Sequence, residues 1–302
     1  MANYNIEEIV QAPEGETTSD DVVKANVVQE IIEKQADLIS VGTEIVPERE
    51  FSALDVDFSY PGEIEGEYPV DENSVVDRER VVWNEFDLTL EQAEARFMLT
   101  DIARVREQES IQNEMSIQRA AEAIAEEKDY NILETLNNGA PTTTSITLNR
   151  SQDEGWDQDG GDPEADIVQA WNNIFDHSNV NENDSQNTYV VAPASTFGTL
   201  NSLQLINNVQ QTLRDYIEDA YGINIRFSRH VPNNDAIVAV GGNQTAIHGV
   251  LDSDEIEAVE TQRVFGRGDD WLMRQFFNTA VVEDEGLNNE SYRLSKIENV
   301  VA

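Results

Sequence analysis

The period of the apolar residues changes several times along the chain, and each change predicts an element. In "FSALDVDFSY" the residues Leu54, Val56, Phe58 and Tyr60 alternate with polar ones, which puts them on one side of a strand. The turn-rich, acidic "PGEIEGEYPVDENS" follows, and "VVDRERVVWNEFDL" returns with strand content, so 51–88 reads as a long two-stranded hairpin. Such a ribbon is marginal alone, and its missing contacts are expected from partners. From Leu90 to Leu136 the pattern reads as helix. Thr89 caps it with Gln92 at the third position, and a second start falls at Thr100 or Asp101. Ile102, Val105, Ile111, Met115, Ile117, Ala121, Ile124, Ala125, Ile132 and Leu133 form its apolar stripe, and Asn138 and Gly139 predict a left-handed stop. About 35 helical residues span roughly 50 Å, beyond the ordinary helix of a compact domain. The alanines Ala120, Ala121, Ala123 and Ala125 would admit a close neighbour.

Ahead of the ribbon, "DDVVKANVVQEIIEKQADLI" has helical spacing between polar, turn-rich flanks and reads as an arm with one short helix. After the long helix, "DPEADIVQAWNNIFDH" predicts a helix capped by Asp162, with Pro163 at its first position and Ile167, Ala170, Trp171, Ile174 and Phe175 facing inward. "NTYVVAP" reads as a buried strand, with helical character over "ASTFGTLNSLQLINN" and "VQQTLRDYIEDAYG". "INIRFSRHV" and "DAIVAVGG" are strands, the second a central one, and strands continue from "TAIHGV" to "TAVVED".

Charge changes the picture. The 302 residues carry 60 acids against 19 bases, a formal net charge of -41. Only Lys24, Lys34, Lys128 and Lys296 are lysines, and the acids are spread along the whole chain. So diffuse an excess repels itself in dilute buffer, whereas at molar salt the screening length falls to about 3 Å. A highly saline setting follows. No basic patch supplies phosphate contacts, so specific reading of nucleic acid is excluded, although a surface that merely encloses it tolerates acids. There is no cysteine, no apolar run of membrane-span length and no secretory pattern at the start.

Candidate chemistry is sparse. His177, His230 and His248 lack zinc-site spacing, and Ser195 lacks a nucleophile elbow. "GRGDD" lacks the lysine of a phosphate loop, and "DQDGGD" lacks the distal glutamate of a calcium loop. No catalytic residue, metal or cofactor is expected. The arginines are more informative, because 15 persist where lysine is nearly discarded. Arg78 and Arg80 on the ribbon, Arg96, Arg104, Arg106 and Arg119 near the long helix, and Arg263, Arg267, Arg274 and Arg293 near the end are candidate inter-subunit contacts, since guanidinium pairs with carboxylates bidentately.

The order arm, ribbon, long helix ending "EAIAEEKDYNILETLNNG", α/β piece and returning strands resembles the major capsid proteins of tailed double-stranded DNA viruses, a fold shared with encapsulin shells. The resemblance implies an α+β, HK97-like fold: an N-terminal arm (1–50), an extension loop (51–88), a peripheral domain with a spine helix (89–161), an axial domain (162–249) and strands linking back to the peripheral domain (250–302). It implies a virion protein, not an enzyme. Pentamers and hexamers would close an icosahedral head around double-stranded DNA without specific readout, assembled in the host cytoplasm. Scaffold, portal or minor capsid proteins would be its further partners, and no membrane is involved. The acidity points to a salt-loving archaeal host, and the scarcity of lysine to non-covalent assembly. An encapsulin-like compartment shell is the alternative, and a salt-adapted hydrolase a more distant one.

Overall fold

The computed structural model describes residues 40–61, 83–99, 109–142, 146–151, 155–158, 160–206, 209–251, 257–264, 268–284, 287 and 290–301. The arm before Ser40, the ribbon tip and the helix start at 100–108 lie outside the described residues.

Strand alternation holds where it was expected. β2 (Asp55–Pro61) and β3 (Trp83–Thr89) pair antiparallel, Asp55 opposite Thr89 and Pro61 opposite Trp83. Val56 and Phe58 are half-buried while Asp55, Asp57 and Ser59 are exposed. The base of this pair is tied to the body. Leu88 and Leu90 are buried against Ile247, and the Phe51 and Phe58 rings meet edge to face at 5.2 Å. Leu54 falls outside the strand and is exposed.

The residues just after the ribbon are not helical. Glu91–Leu99 forms β4, which pairs antiparallel with Asp269–Phe277 of β13 (Gly268–Val281). "EQAEARFML" has helix-favouring residues but a period of two. Ala93, Ala95 and Phe97 turn inward, while Gln92, Glu94 and Arg96 are exposed. Nine residues of ladder outweigh a propensity preference of a few tenths of a kcal/mol per residue. β13 is the axis of the first sheet. Because Asp269–Arg274 pair with both β4 and β12 (Glu257–Val264), those strands flank opposite edges. β11 (Ala246–Leu251) pairs with the second half of β13, and β1 (Glu48–Phe51) joins β11 in parallel.

In the second sheet β10 (Ala236–Val240) is central and fully buried, as a continuous apolar run requires. It lies antiparallel to β6 (Thr188–Pro193) and β14 (Leu294–Glu298). β9 (Asn224–Ser228) is parallel to β6, and the short β5 (Leu148–Asn149) is parallel to β14. The described α-helices, in chain order, are the short α1 (Gly42–Ile45), the 30-residue α2 (Glu109–Asn138), α3 (Pro163–His177), α4 (Phe197–Leu200) and α5 (Leu213–Tyr221).

Alternate residues of β10 serve two cores. Ala236, Val238 and Val240 meet Ile167, Ala170 and Ile174 of α3 and Leu213 and Ile217 of α5. Ile237 and Ala239 meet Ile132, Leu133 and Leu136 of α2. The cap of α3 is as expected, with the Asp162 side chain accepting from the Ala165 amide at 3.1 Å. Phe175, expected inside, is 47% exposed. Asp166 is buried in α3, where it accepts from Arg150 and, at 3.0 Å, from the Trp156 indole. The span 203–212, expected helical, contains two paired strands, β7 (Leu203–Ile206) and β8 (Val209–Thr212).

The stop of α2 is a correction. Gly139 is absent from the positive-φ residues, so it is not a left-handed cap. A Cβ there would lie 2.4 Å from Val281 Cγ2, and the position requires glycine because β13 passes against the helix end. Gly139→Ala should therefore destabilise the chain by about 1–3 kcal/mol in denaturant titration. A double-mutant cycle with Val281→Ala should recover more than about 0.5 kcal/mol of that loss. Strict additivity would mean that the clash is not the cause.

Candidate functional site

The buried face of α2 runs through Ala121, Ile124, Ala125, Lys128, Asp129, Ile132, Leu133 and Leu136, at spacings of three and four. Two charged residues sit inside this apolar row, Lys128 at 4% and Asp129 at 2% exposure. Buried charges persist only when paired or fully hydrogen-bonded. Both are. Lys128 Nζ donates to Glu48 Oε1 of β1 at 2.7 Å. Asp129 Oδ1 accepts from the Gly42 amide at 2.6 Å and Ser40 Oγ at 3.2 Å, and Oδ2 accepts from Ser228 Oγ at 3.0 Å. Hydrogen bonds to a charged group contribute about 1.5–3 kcal/mol each, several-fold more than an exposed ion pair. The signal for these residues was present in the sequence, as charges at stripe positions between Ala125 and Ile132.

One turn on, Asn131 joins a second network. Its amide donates to Asn278 Oδ1 at 3.1 Å, and its oxygen accepts from Thr279 Oγ1 at 2.7 Å. With its proton given to Asn131, Thr279 Oγ1 accepts from His248 Nδ1 at 2.9 Å. His248 therefore carries its proton on Nδ1, and its buried Nε2 has no hydrogen-bond partner among the described residues. Burial, followed by the charge of Lys128, lowers its pKa to about 3. The other two histidines are structural or exposed: His177 Nδ1 meets the Asn173 carbonyl, and His230 Nε2 accepts from Arg229.

A surface groove of about 470 Å³ runs between β4 and α2, floored by Ala93, Ala95, Ala120 and Ile124. Arg96 and Arg119, two of the arginines singled out from sequence, line it together with Glu94 and Glu127. The Arg119 side chain is 79% exposed and bonds Glu122 at 2.7 Å. Arg274 lies opposite Glu94 on β4 and Glu257 on β12. Arg293 is half-buried in the turn just before β14. Arg263 is placed only by its backbone in β12. Arg78, Arg80, Arg104, Arg106 and Arg267 lie outside the described residues. Three of the four helix alanines, Ala120, Ala121 and Ala125, are buried and only Ala123 is exposed; Ala120 and Ala121 pack against the chain's own Met273 and Phe277, so they are not open to a neighbour.

Other arginines, not singled out by the sequence pattern, are held internally: Arg150, Arg214, Arg226 and Arg229 pair within the chain with Asp166, Glu218, Glu44 and Glu126. Among the described residues no three His, Asp or Glu side chains converge as metal ligands, and no helix is long and apolar enough to cross a membrane.

A long helix packed on two sheets, with a separate two-stranded pair, β2–β3, is the architecture of an HK97-fold shell subunit. Solved structures share it. A virus-like particle from Pyrococcus furiosus matches with a TM-score of 0.59 at 12% identity, covering 90% of this chain and 98% of that one. The capsid of the cyanophage P-SCSP1u matches at 0.58 and 13%, covering 83% and 85%. The SrpI encapsulin of Synechococcus elongatus PCC 7942 matches at 0.52 and 10%, covering 100% and 97%. No protein of curated function matches the sequence. Residues 89–288 match the phage capsid protein family, and the chain belongs to it. Its function is that of a major capsid protein.

His248 makes stability depend on pH. The unfolded chain takes up the imidazole proton near pH 6.5, whereas the folded chain resists it down to about 3. The contribution is fully present above pH 6.5 and declines towards pH 3 by about 1 kcal/mol per pH unit. Asp235, whose carboxyl burial pushes up, acts oppositely but only in the carboxylate range. Between pH 7 and 5, the melting temperature of the wild type should fall more steeply than that of His248→Asn. Parallel profiles would remove His248 from the pH response.

Proposed function

We propose that this capsid protein forms pentamers and hexamers that close an icosahedral head around double-stranded DNA, in a virus of a salt-loving archaeal host. The family match over 89–288 carries the shell-building part of this reading. The net charge of -41 supports the host. With so few bases the inner surface encloses DNA without reading it. The arm (1–50) and extension loop (51–88) reach neighbouring copies, and 89–161, 162–249 and 250–302 act as peripheral domain, axial domain and return strands. Arg96 and Arg119 in the groove, with Arg78, Arg80, Arg104, Arg106, Arg263, Arg267, Arg274 and Arg293, meet carboxylates of those copies. Assembly takes place in the host cytoplasm, with scaffold, portal and minor capsid proteins as candidate partners. The protein has no catalytic role.

An encapsulin-like compartment is the second reading. It is supported by the fold match to the SrpI encapsulin, which extends over 100% of this chain and 97% of that one. Electron micrographs of purified particles separate the two: DNA-dense heads are expected, and shells filled with protein would favour the compartment.

Light scattering should show particles dissociating as molar salt is diluted to millimolar, because repulsion between copies lengthens in range. Particles unchanged by dilution would contradict this. Arg119→Glu gives up one exposed ion pair, so the melting temperature should stay within about 2 °C. Particle yield should nevertheless drop several-fold, and an undiminished yield would exclude Arg119 from the contact.

A further inference from the structure

We propose that Asp129 is a positioning residue that fixes where the chain before Ser40 leaves the body, by clamping α1, α2 and β9 together. The inference rests on the shell reading above and names the residue on which the arm's placement depends.

The clamp is built from three directions. From the N-terminal side, the Gly42 amide and the Ser40 hydroxyl reach Oδ1, at 2.6 and 3.2 Å. From the second sheet, Ser228 at the end of β9 reaches Oδ2. Asp129 itself stands on α2 and is 2% exposed. Steric fit supports the same geometry. A Cβ on Gly42 would lie 2.8 Å from Ile132 Cβ, so α1 rests directly on the next turn of α2. Ile45 and Val46, at 1% and 0% exposure, continue into the core with Ile132, Leu133 and Leu136.

Two ion pairs repeat the three-way contact at the rim. Arg226 of β9 meets Glu44 of α1, and Arg229 meets Glu126 of α2. These are exposed, and molar salt screens them. The Asp129 hydrogen bonds lie beneath them out of reach of ions, so in brine the buried carboxylate holds the junction. A helix of four residues has little stability of its own. Its position is therefore set by what grips it, and with it the position of Ser40, to which the preceding 39 residues are joined.

Asp129→Asn keeps the volume but turns one oxygen into a donor, which opposes the donors around it. The test compares amide hydrogen exchange and particle yield for wild type and variant in molar salt. Exchange of Gly42 to Val46 should accelerate at least tenfold in Asp129→Asn while Ala236–Val240 keep wild-type protection, and closed particles should fall at least tenfold. A residue of merely structural importance would loosen Ala236–Val240 as well. Unchanged exchange at Gly42 to Val46 overturns the proposal, and so does accelerated exchange there with normal particle yield. Should Asp129→Asn unfold throughout, the Ser40→Ala/Ser228→Ala chain, which leaves the carboxylate and Gly42 in place, decides by the same two readouts. If the wild type forms no particles, the shell reading fails, and exchange at Gly42 to Val46 in the single chain still decides whether Asp129 holds α1.

Discussion

One helix face packed against two sheets is the constraint on which this structure depends. The buried row of α2 meets β4 and β13 through Ala120, Ala121 and Ile124, and meets β10, β13 and β14 through Ile132, Leu133 and Leu136. The helix covers one face of the second sheet, while α3 and α5 cover the other. Both contacts lie along one rod about 45 Å long. Gly139 then lets β13 cross the helix end at a distance no side chain would allow.

Where the two contacts meet, the row turns polar. Lys128 and Asp129 occupy positions that Leu or Ile would fill in a simpler helix, and each reaches a different segment. A buried charge pair adds little to net stability compared with apolar packing, but breaking one partner leaves an uncompensated charge. Such residues select one arrangement over others of similar packing. Lys128 holds β1 where it joins β11, and Asp129 holds α1, so the segments on either side of Pro47 are both fixed from one helical turn.

The charge of the chain is distributed in keeping with this core. Among the described residues Asp129, Asp166 and Asp235 are the buried acids, and several bases are spent on defined partners: Arg150 with Asp166, Arg214 with Glu218, Arg226 with Glu44, Arg229 with Glu126, Lys296 with Glu298. In the saline setting proposed above, short screening lengths would free the subunits of long-range repulsion. Contacts between copies would then be short-ranged: packing, hydrogen bonds and the proposed arginine pairs.

Local periodicity determined a good share of this protein. The alternation in "DVDFSY", the continuous run in "DAIVAV", the stripe of α2 from Ala121 to Leu133 and the Asp162 cap each specify an element through neighbours a few residues away, and the element order was enough to place the chain in its fold. Tertiary structure decided the remainder. Residues 91–99 became a strand because β13, some 180 residues later, offers a ladder, although alanine, glutamate and arginine favour helix. Ala120 and Ala121 turned to their own sheet, Gly139 answered to Val281, and Asp129 found Gly42 and Ser228 at separations of 87 and 99 residues. Spacing along a chain reports which face a side chain takes, but partners so far away are chosen only when packing brings them together.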